Sequence, residues 1–362
     1  MQRYHPCLPS AVPLRRPPAL GSRFVTLLVV GLGWLAALVG PAPVAAADFT
    51  YEVVVPADDR LANGRTDAVT IGSEAVAWGT EHGVAEEKPA GTFTWWTPKN
   101  APFKQGEHPA IIYSEGDLWV GNRTQFGGTG LLRRSGSQWR VYHPKRNEML
   151  SELVNCLLQD GKGRLWIGYE ERGVDRYIGK EYGSKTLRLF KSIKVKHGLL
   201  RGAVLALAAT GDDLWIGTSM GLCRVDPDRI DKNAFVTWTK ETGFPGRNVF
   251  ALMPVGSQGV AVGADNGLCW PDGAGWRLVA RPEGLAGLPV KCLAWDGTRL
   301  WVGTYRGLQW YDGKTLSKPI GLDQGLPSDH VRCLAVRPLP GGKVQVLVGT
   351  DLGARLVNAT FP

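Results

Sequence analysis

The stretch DDLWIGTSMGL (residues 212–222) returns later in the chain as TRLWVGTYRGL (residues 298–308), and it occurs earlier as GRLWIGYEERGV (residues 163–174). Each copy has an apolar triplet, a glycine, and a short loop that ends in a second glycine. A phrase that recurs along a chain is the signature of a repeat architecture. The stretch therefore predicts a fold built of repeats rather than a catalytic motif.

The glycine that follows the apolar triplet marks seven units, which are spaced by 40 to 49 residues. The seven glycines are Gly79, Gly121, Gly168, Gly217, Gly263, Gly303 and Gly349. Periods of about 40–50 residues made of short strands are typical of propeller blades. The sequence therefore predicts an all-β fold, a seven-bladed β-propeller of four-stranded blades.

Each unit contains four strand-like segments, which we number from the innermost outwards. The first is apolar and β-branched, as in VRCLAV (residues 331–336), and the second is LWIG or a relative. Fourth strands are predicted for segments such as AFVTWTK (residues 234–240) and TLSKPIG (residues 315–321). The turns between them are rich in Asp and Gly, which tolerate the positive φ that tight hairpins require.

Four second strands carry a tryptophan, namely Trp119, Trp166, Trp215 and Trp301. We predict that these rings fill the wedge between neighbouring blades, where they bury a large area. A sugar-stacking surface is the alternative. Units one, five and seven have Ala77, Ala261 and Leu347 at this position, so neighbouring side chains must fill the gap there.

The seventh unit lacks a fourth strand before the chain ends, whereas FTYEVVV (residues 49–55) is a strand-like segment without a unit. An open ring would expose strand edges, which promote aggregation. We predict that residues 49–55 form the outer strand of the C-terminal blade and close the ring.

Residues 1–47 read as a signal peptide. They contain four arginines and no acidic residue, an apolar run at residues 24–39, and the small residues Ala45 and Ala47. We predict cleavage after Ala47, a propeller domain over residues 48–362, and a periplasmic or secreted protein. An uncleaved anchor is the alternative, but sixteen apolar residues fall short of the roughly 20 that span a bilayer.

The charge of the predicted mature chain gives little sign of a nucleic-acid partner. The whole chain has a formal charge of +9, and removing the four arginines of residues 1–47 leaves +5. There is no lysine or arginine run of the kind that marks nucleic-acid binding, and no second apolar segment long enough to cross a membrane. We expect a monomer.

Several units follow a longer common pattern. Examples are LVNCLLQDGKGRLWIGYEERGVDRY (residues 153–177), GLPVKCLAWDGTRLWVGTYRGLQWYDG (residues 287–313) and GLPSDHVRCLAV (residues 325–336). The pattern resembles the two-component regulator propeller repeats. That resemblance implies a ring of the kind that forms the periplasmic sensing part of membrane sensor kinases, often as two rings in tandem. We expect a stand-alone seven-bladed ring here, which keeps a binding role without the kinase part.

The cysteines follow the repeat. Cys156, Cys292 and Cys333 share one first-strand position, and Cys223 and Cys269 share one third-strand position. We predict that they are small buried residues rather than disulfides or metal ligands. No H-E-x-x-H motif or phosphate-binding glycine loop is present. We therefore predict no catalytic residue, no metal and no cofactor.

Ligands of propellers commonly bind where two classes of loop gather on one face. These are the loops between second and third strands and the segments that lead into first strands, and we call the surface they form the mouth face. Its candidate binding residues are Glu81, His82, Arg123, Phe126, Glu170, Arg172, Arg247, Asp265, Asn266, Tyr305, Arg306, Asp329 and His330. Arg201, Lys291 and Arg332 add positive charge, which suits an anionic ligand. The enlarged loop NRTQFGGTG (residues 122–130) breaks the symmetry of this face.

These observations predict an exported, non-catalytic module that binds a carbohydrate fragment or a partner protein. One alternative is a propeller lyase or hydrolase that acts on an anionic oligosaccharide or peptide, with His82 and His330 as the residues to test. A structural scaffold in an envelope complex is the other.

Overall fold

The computed structural model describes residues 49–88, 91–124, 127–179, 189–230, 234–256 and 259–361. The predicted signal peptide lies outside these ranges. The described residues form seven antiparallel sheets. The innermost strand of each sheet packs against the innermost strands of its two neighbours, so that the sheets form a closed ring of blades.

The first three blades each contain four strands. Blade one consists of β2 (Thr66–Ile71), β3 (Val76–Thr80), β4 (Gly83–Lys88) and β5 (Thr92–Trp96). Blade two consists of β6 (Glu107–Ser114), β7 (Asp117–Thr124), β8 (Gly127–Ser135) and β9 (Gln138–Tyr142). Blade three consists of β10 (Val154–Gln159), β11 (Leu165–Tyr169), β12 (Val174–Tyr177) and β13 (Phe190–Ile193).

The other four blades follow the same order. Blade four consists of β14 (Val204–Thr210), β15 (Asp213–Thr218), β16 (Gly221–Val225) and β17 (Val236–Trp238). Blade five consists of β18 (Val249–Pro254), β19 (Val260–Ala264), β20 (Gly267–Asp272) and β21 (Gly275–Val279). Blade six has β22 (Val290–Trp295), β23 (Leu300–Thr304) and β24 (Gly307–Tyr311). Blade seven has β25 (Val331–Leu339), β26 (Lys343–Thr350), β27 (Gly353–Thr360) and β1 (Thr50–Val54).

Helices are short and lie in connections. They are α1 (Asp59–Asn63), α2 (Pro144–Asn147) and the 3-10 turns Val195–His197, Lys240–Thr242, Leu322–Gln324 and Pro340–Gly342. The helix α1 links β1 to blade one and was not anticipated from the sequence. Its N-cap is Asp58, whose Oδ1 accepts hydrogen bonds from the amides of Arg60 and Leu61.

The second strands explain why the repeated phrase is continuously apolar. β3, β11, β19 and β23 are buried along their whole length, because each lies between two neighbouring blades. Strands buried on both faces lose the alternation of apolar and polar residues that half-exposed strands show. The outer strand β21 keeps that alternation.

The repeated glycine is required by close contact between blades. In six blades this glycine faces the β-branched residue that begins the first strand of the following blade. These residues are Val154, Val204, Val249, Val290, Val331 and Thr66. A Cβ built on the glycine would lie 2.5–2.8 Å from a γ-carbon of that residue. Cβ atoms do not approach other carbons so closely, so a larger residue here would push the blades apart.

The predicted burial of the four tryptophans is confirmed. Their exposed fractions are between 0 and 8%. The indole Nε1 of Trp166 donates to Asp160 and that of Trp301 donates to Asp296, in the turn between the first and second strands. Between blades seven and one, where Leu347 replaces the tryptophan, the fully buried Trp78 fills the gap.

The five described cysteines are free thiols. Cys156, Cys292 and Cys333 lie directly across from the repeated glycines Gly168, Gly303 and Gly349 in the ladder between first and second strands. Burial raises the pKa of Cys156 and Cys292 to about 12, so these thiols stay protonated. Their role as small apolar residues agrees with the sequence prediction.

The predicted ring closure is confirmed. β1 pairs antiparallel with β27, with Thr50 opposite Thr360 and Val54 opposite Leu356. Phe49 also stacks on Phe361, with ring centroids 5.5 Å apart. The N-terminal strand is therefore the outer strand of the C-terminal blade.

Blade six departs from the four-strand prediction. Residues 315–321 do not form a regular fourth strand and pair only through two isolated bridges, Leu308 with Ile320 and Tyr311 with Leu316. Pro319 has no amide hydrogen to donate. Between the bridges, the Ser317 hydroxyl accepts a hydrogen bond from the backbone amide of Trp310. The buried side-chain amide of Gln309 donates through Nε2 to the backbone carbonyl of Ser317. Side chains thus replace part of the ladder.

We predict that Gly303→Ala lowers the free energy of unfolding by about 1–3 kcal/mol, as overpacking of a core does. The new methyl group would meet Val331 and Cys292. Chemical denaturation measures the effect. Gly161→Ala is the matched control, because a Cβ at Gly161 meets nothing within 4 Å. Equal stability of the two variants would contradict the proposed contact between blades.

We predict that removing β1 destabilises the ring far more than removing a tail. A chain that starts at Ala57 exposes the edge of β27 and uncovers the Phe361 ring, so it should be insoluble or should melt at a clearly lower temperature. A chain that starts at Asp48 is the control. The same midpoint and solubility for both chains would show that β1 does not close the ring.

Candidate functional site

A β-bulge at the start of the first strand recurs in every blade and directs one side chain out of the ladder. The register shifts directly after the first residue of each innermost strand. The bulged residues are Asp67, Asn155, Leu205, Phe250, Lys291 and Arg332, with His108 and Pro109 in blade two. Bulges re-aim side chains and often occur next to functional sites. We call these residues the bulge ring, which surrounds the central channel below the mouth face.

Ion pairs between neighbouring blades connect the side chains on one half of the propeller. Arg332 Nη2 of blade seven lies 2.9 Å from Asp67 Oδ1 of blade one, and its Nη1 lies 2.9 Å from Asp351 Oδ1. Arg65 Nε lies 3.1 Å from the same Asp67 oxygen, and its Nη2 lies 3.6 Å from Glu107 Oε1 of blade two. The charges of blades seven, one and two therefore neutralise one another.

The chain of charges continues into blade three through Arg123. Its Nε donates to Glu107 Oε2 at 3.0 Å, and its Nη1 lies 3.1 Å from Glu170 Oε2 and 3.2 Å from Asn155 Oδ1. Although partial burial works to raise the pKa of Glu107, the hydrogen bonds and charge of Arg123 hold it below the usual value. Two predicted binding residues, Arg123 and Glu170, are thus already engaged with each other.

His330 forms a second engaged group on blade seven. Its Nδ1 lies 2.8 Å from Asp351 Oδ2, and its ring stacks on Tyr305 of blade six, with centroids 4.8 Å apart. The imidazole remains half exposed. His82, the other predicted histidine, lies 4.0 Å from Glu81 on blade one and is also half exposed.

Several predicted binding residues hold the loops of the mouth face in place. Glu81 accepts from the Arg65 amide, and Asp265 accepts from the Arg247 amide, both at 2.9 Å. Asp329 accepts from the Leu322 amide at 2.7 Å. Asn266 donates to the Pro245 carbonyl. Three of these bonds join a loop between second and third strands to the segment that leads into a first strand. The fourth lies within such a segment. These side chains therefore fix the conformation of the mouth face.

Two clefts open on the mouth face. One has a volume of about 380 Å³ and is lined by Glu170, Arg172, Val195 and Arg201, at the junction of blades three and four. The other, of about 390 Å³, is lined by His82, Glu81, Lys99 and Gln105, at the junction of blades one and two. Arg172 has a positive φ of 76° and pairs with Glu171 at 3.3 Å. Phe126 lies outside the described residues.

The opposite half of the mouth face carries cations without acidic partners. Among the residues that the structure describes, no carboxylate lies within salt-bridge distance of Arg201, Arg247, Lys291 or Arg306, which we call the cationic sector. These residues belong to blades four, five and six. The Arg247 guanidinium contacts the Met220 sulfur at 3.1 Å, and Lys291 Nζ lies 3.9 Å above the centre of the Phe250 ring.

The structure therefore separates the predicted binding residues into two groups. Arg123, Glu170 and His330 are paired, whereas Arg247 and Arg306 have no acidic partner among the described residues. Asp67, Glu107 and Asn155 belong to the paired network but were not predicted. In six of the seven units, the position after the β-branched residue that begins the first strand is the sequence signal that could have found the bulge ring.

The described ranges contain no group of three or more metal-ligating side chains that could hold an ion. None of the helices in the same ranges is both long enough and apolar enough to cross a membrane.

Comparison with known proteins confirms the resemblance to two-component regulator propeller repeats. The family model described as "Two component regulator propeller" matches residues 148–171. None of the curated proteins compared with the sequence matches it.

Solved structures share the fold at low sequence identity. The extracellular domain of BT4673 from B. thetaiotaomicron, described as a one component system, is 19% identical, with a TM-score of 0.62 over 84% of this chain. The chain spans 39% of the length of that domain. Virginiamycin B lyase from Staphylococcus aureus is 10% identical, with a TM-score of 0.64 over 87% of this chain and all of the lyase. YCF48 bound to D1 peptide is 11% identical, with a TM-score of 0.60 over 88% of this chain and 98% of YCF48.

The bulged His108 of blade two generates a prediction about acid stability. Its side chain is 1% exposed, its Nδ1 donates to the Thr80 carbonyl at 2.7 Å, and its Nε2 accepts from Asn122 at 3.3 Å. Burial lowers the pKa of His108 to about 4. The folded protein therefore holds a neutral imidazole whose protonation would leave a buried charge.

We predict that His108 makes the protein less stable as the pH falls from 6.5 towards 4. The unfolded chain takes up a proton near pH 6.5 and the folded protein only near 4, so up to about 3 kcal/mol is lost across that interval and none above it. His108→Asn should flatten this part of the pH profile of unfolding free energy. A profile that is the same for wild type and His108→Asn would refute the assignment.

Proposed function

We propose that this chain is an exported binding module whose mouth face takes an anionic ligand. The observation that carries the proposal is the cationic sector. Four cations lie on three adjacent blades with no acidic partner among the described residues. In contrast, ion pairs join blade seven to blade one, blade one to blade two and blade two to blade three. A group of unpaired cations at a concave mouth raises the local concentration of anions and favours their binding.

The repeat family supports a binding role. The resemblance implies the sensing part of two-component regulators, and BT4673 contributes an extracellular domain of the same fold. YCF48 shares the fold and binds a D1 peptide. These likenesses support export and ligand binding for this chain without identifying its ligand.

A lyase is the second candidate, because one observation favours it. The half-exposed His330 is oriented by Asp351 at 2.8 Å, a pairing that general-base histidines use. A virginiamycin B lyase and a streptogramin B lyase share the fold, at identities of 10 and 11%. A scaffold role would leave the unpaired cations without a purpose, so we rank it last.

We predict that acidic ligands stabilise the protein through the cationic sector. Thermal midpoints are measured with hexagalacturonate, decaglutamate and neutral maltohexaose. A ligand at 100 times its dissociation constant stabilises by about 2.7 kcal/mol, which gives a readily measured shift. The acidic probes should raise the midpoint, and the triple variant Arg201→Gln, Arg247→Gln, Arg306→Gln should abolish the shift.

The matched control removes three cations from the opposite face, as Arg229→Gln, Lys314→Gln, Lys343→Gln, and should retain the shift. Equal shifts with maltohexaose, or a shift that survives the first triple variant, would contradict the proposal. Mass spectrometry of the recovered probes separates the two candidates. Intact probes support a binding module, and shortened probes support the lyase.

A further inference from the structure

The bulge ring contains one charge that the protein leaves unneutralised. Of its ionisable side chains, Asp67 and Arg332 are paired and His108 is neutral, but Lys291 pairs with no carboxylate among the described residues. It is also only partly exposed. Burying a charge without a partner is unfavourable, so unpaired buried ammonium groups are rare in native proteins.

The surroundings of Lys291 disfavour its positive charge further. Burial, together with the positive charges of Arg332 and Arg123, lowers the pKa of Lys291. Arg332 belongs to the neighbouring blade seven, whereas Arg123 belongs to blade two, on a different part of the ring. The contact of Lys291 Nζ with the Phe250 ring of blade five, at 3.9 Å, places the ammonium group beside the bulge ring.

Lys291 borders an apolar part of the ring. The next two bulged residues are Phe250 of blade five, which lies under the ammonium group, and Leu205 of blade four. The channel at this point therefore offers one cation beside an apolar surface. An anionic group carried on an apolar stem matches both.

The loops above this point are apolar as well as basic. Six of the nine large apolar side chains that are exposed among the described residues lie on the mouth face, namely Val55, Val195, Met220, Tyr305, Leu322 and Leu352. Within the same described ranges no tryptophan is more than partly exposed. Methionine, tyrosine and arginine are enriched at protein–protein interfaces, so this surface suits a polypeptide.

We propose that the ligand is an acidic peptide segment of a partner protein, and that Lys291 binds one of its carboxylate side chains at the channel. The cationic sector would hold further acidic residues of the segment, and Met220, Tyr305 and Leu352 would contact its apolar ones. The proposal rests on the proposed function, because it names the class of ligand that the same face takes.

The test uses a random 12-residue peptide library selected on the immobilised protein. Selected peptides should be enriched in Asp and Glu next to apolar residues.

Affinities of the best peptides are then measured by titration calorimetry. Lys291→Met keeps the stem on Phe250 but removes the charge and should weaken binding at least tenfold. Lys291→Arg should retain most of the affinity, and Lys314→Met, on the opposite face of the same blade, should have no effect.

The outcomes distinguish this inference from the proposed function. If the triple arginine variant loses the selected peptides but Lys291→Met binds them as wild type does, the anionic site stands and the role of Lys291 is overturned. If the selected peptides are not acidic while hexagalacturonate still binds through the arginines, the peptide class is overturned. If no acidic probe of either class binds, both proposals are overturned.

Discussion

The contact between a glycine of one blade and a β-branched residue of the next is the constraint on which the structure depends. It recurs around the ring, and it fixes how closely neighbouring sheets approach. The close approach buries each second strand on both faces, and this makes the repeated phrase apolar throughout. It also requires a small residue across the ladder, where alanine or cysteine is found. One steric requirement thus accounts for the glycine, the LWIG motif and the placement of three of the five described cysteines.

The same geometry creates the candidate site. A bulge interrupts every first strand next to the inter-blade contact, so one or two residues per blade leave the regular ladder. The side chains at these positions differ from blade to blade. In this protein they differ by sector. Blades seven to three carry a charge network that neutralises itself, and blades four to six carry cations and apolar groups that remain available to a ligand.

The sequence was sufficient for the blade count, the ring closure and the burial of Trp166 and Trp301, because all three follow from repeated local patterns. It was insufficient for the fourth strand of blade six, where Pro319 and the side chain of Gln309 replace a ladder that apolar content alone would predict. It placed Arg123 on the correct face but could not show that Glu107 and Glu170 engage it, since these pairs join different blades. Ion pairs across a ring depend on side-chain direction, which repeat spacing does not encode. The unpaired state of Lys291 is likewise a property of the assembled ring.

The pairing of β1 with β27 has a consequence for the order in which the protein can form. These two strands are separated by nearly the whole described chain, so their contact has the largest loop to close. A chain that emerges from its N-terminus holds β1 without a partner until the final residues follow. Blades one to six can form successively from local hairpins, but the ring stays open until β27 has been synthesised. During that interval the strand edges are open to pairing with other chains, and products truncated before β27 would remain in that aggregation-prone state.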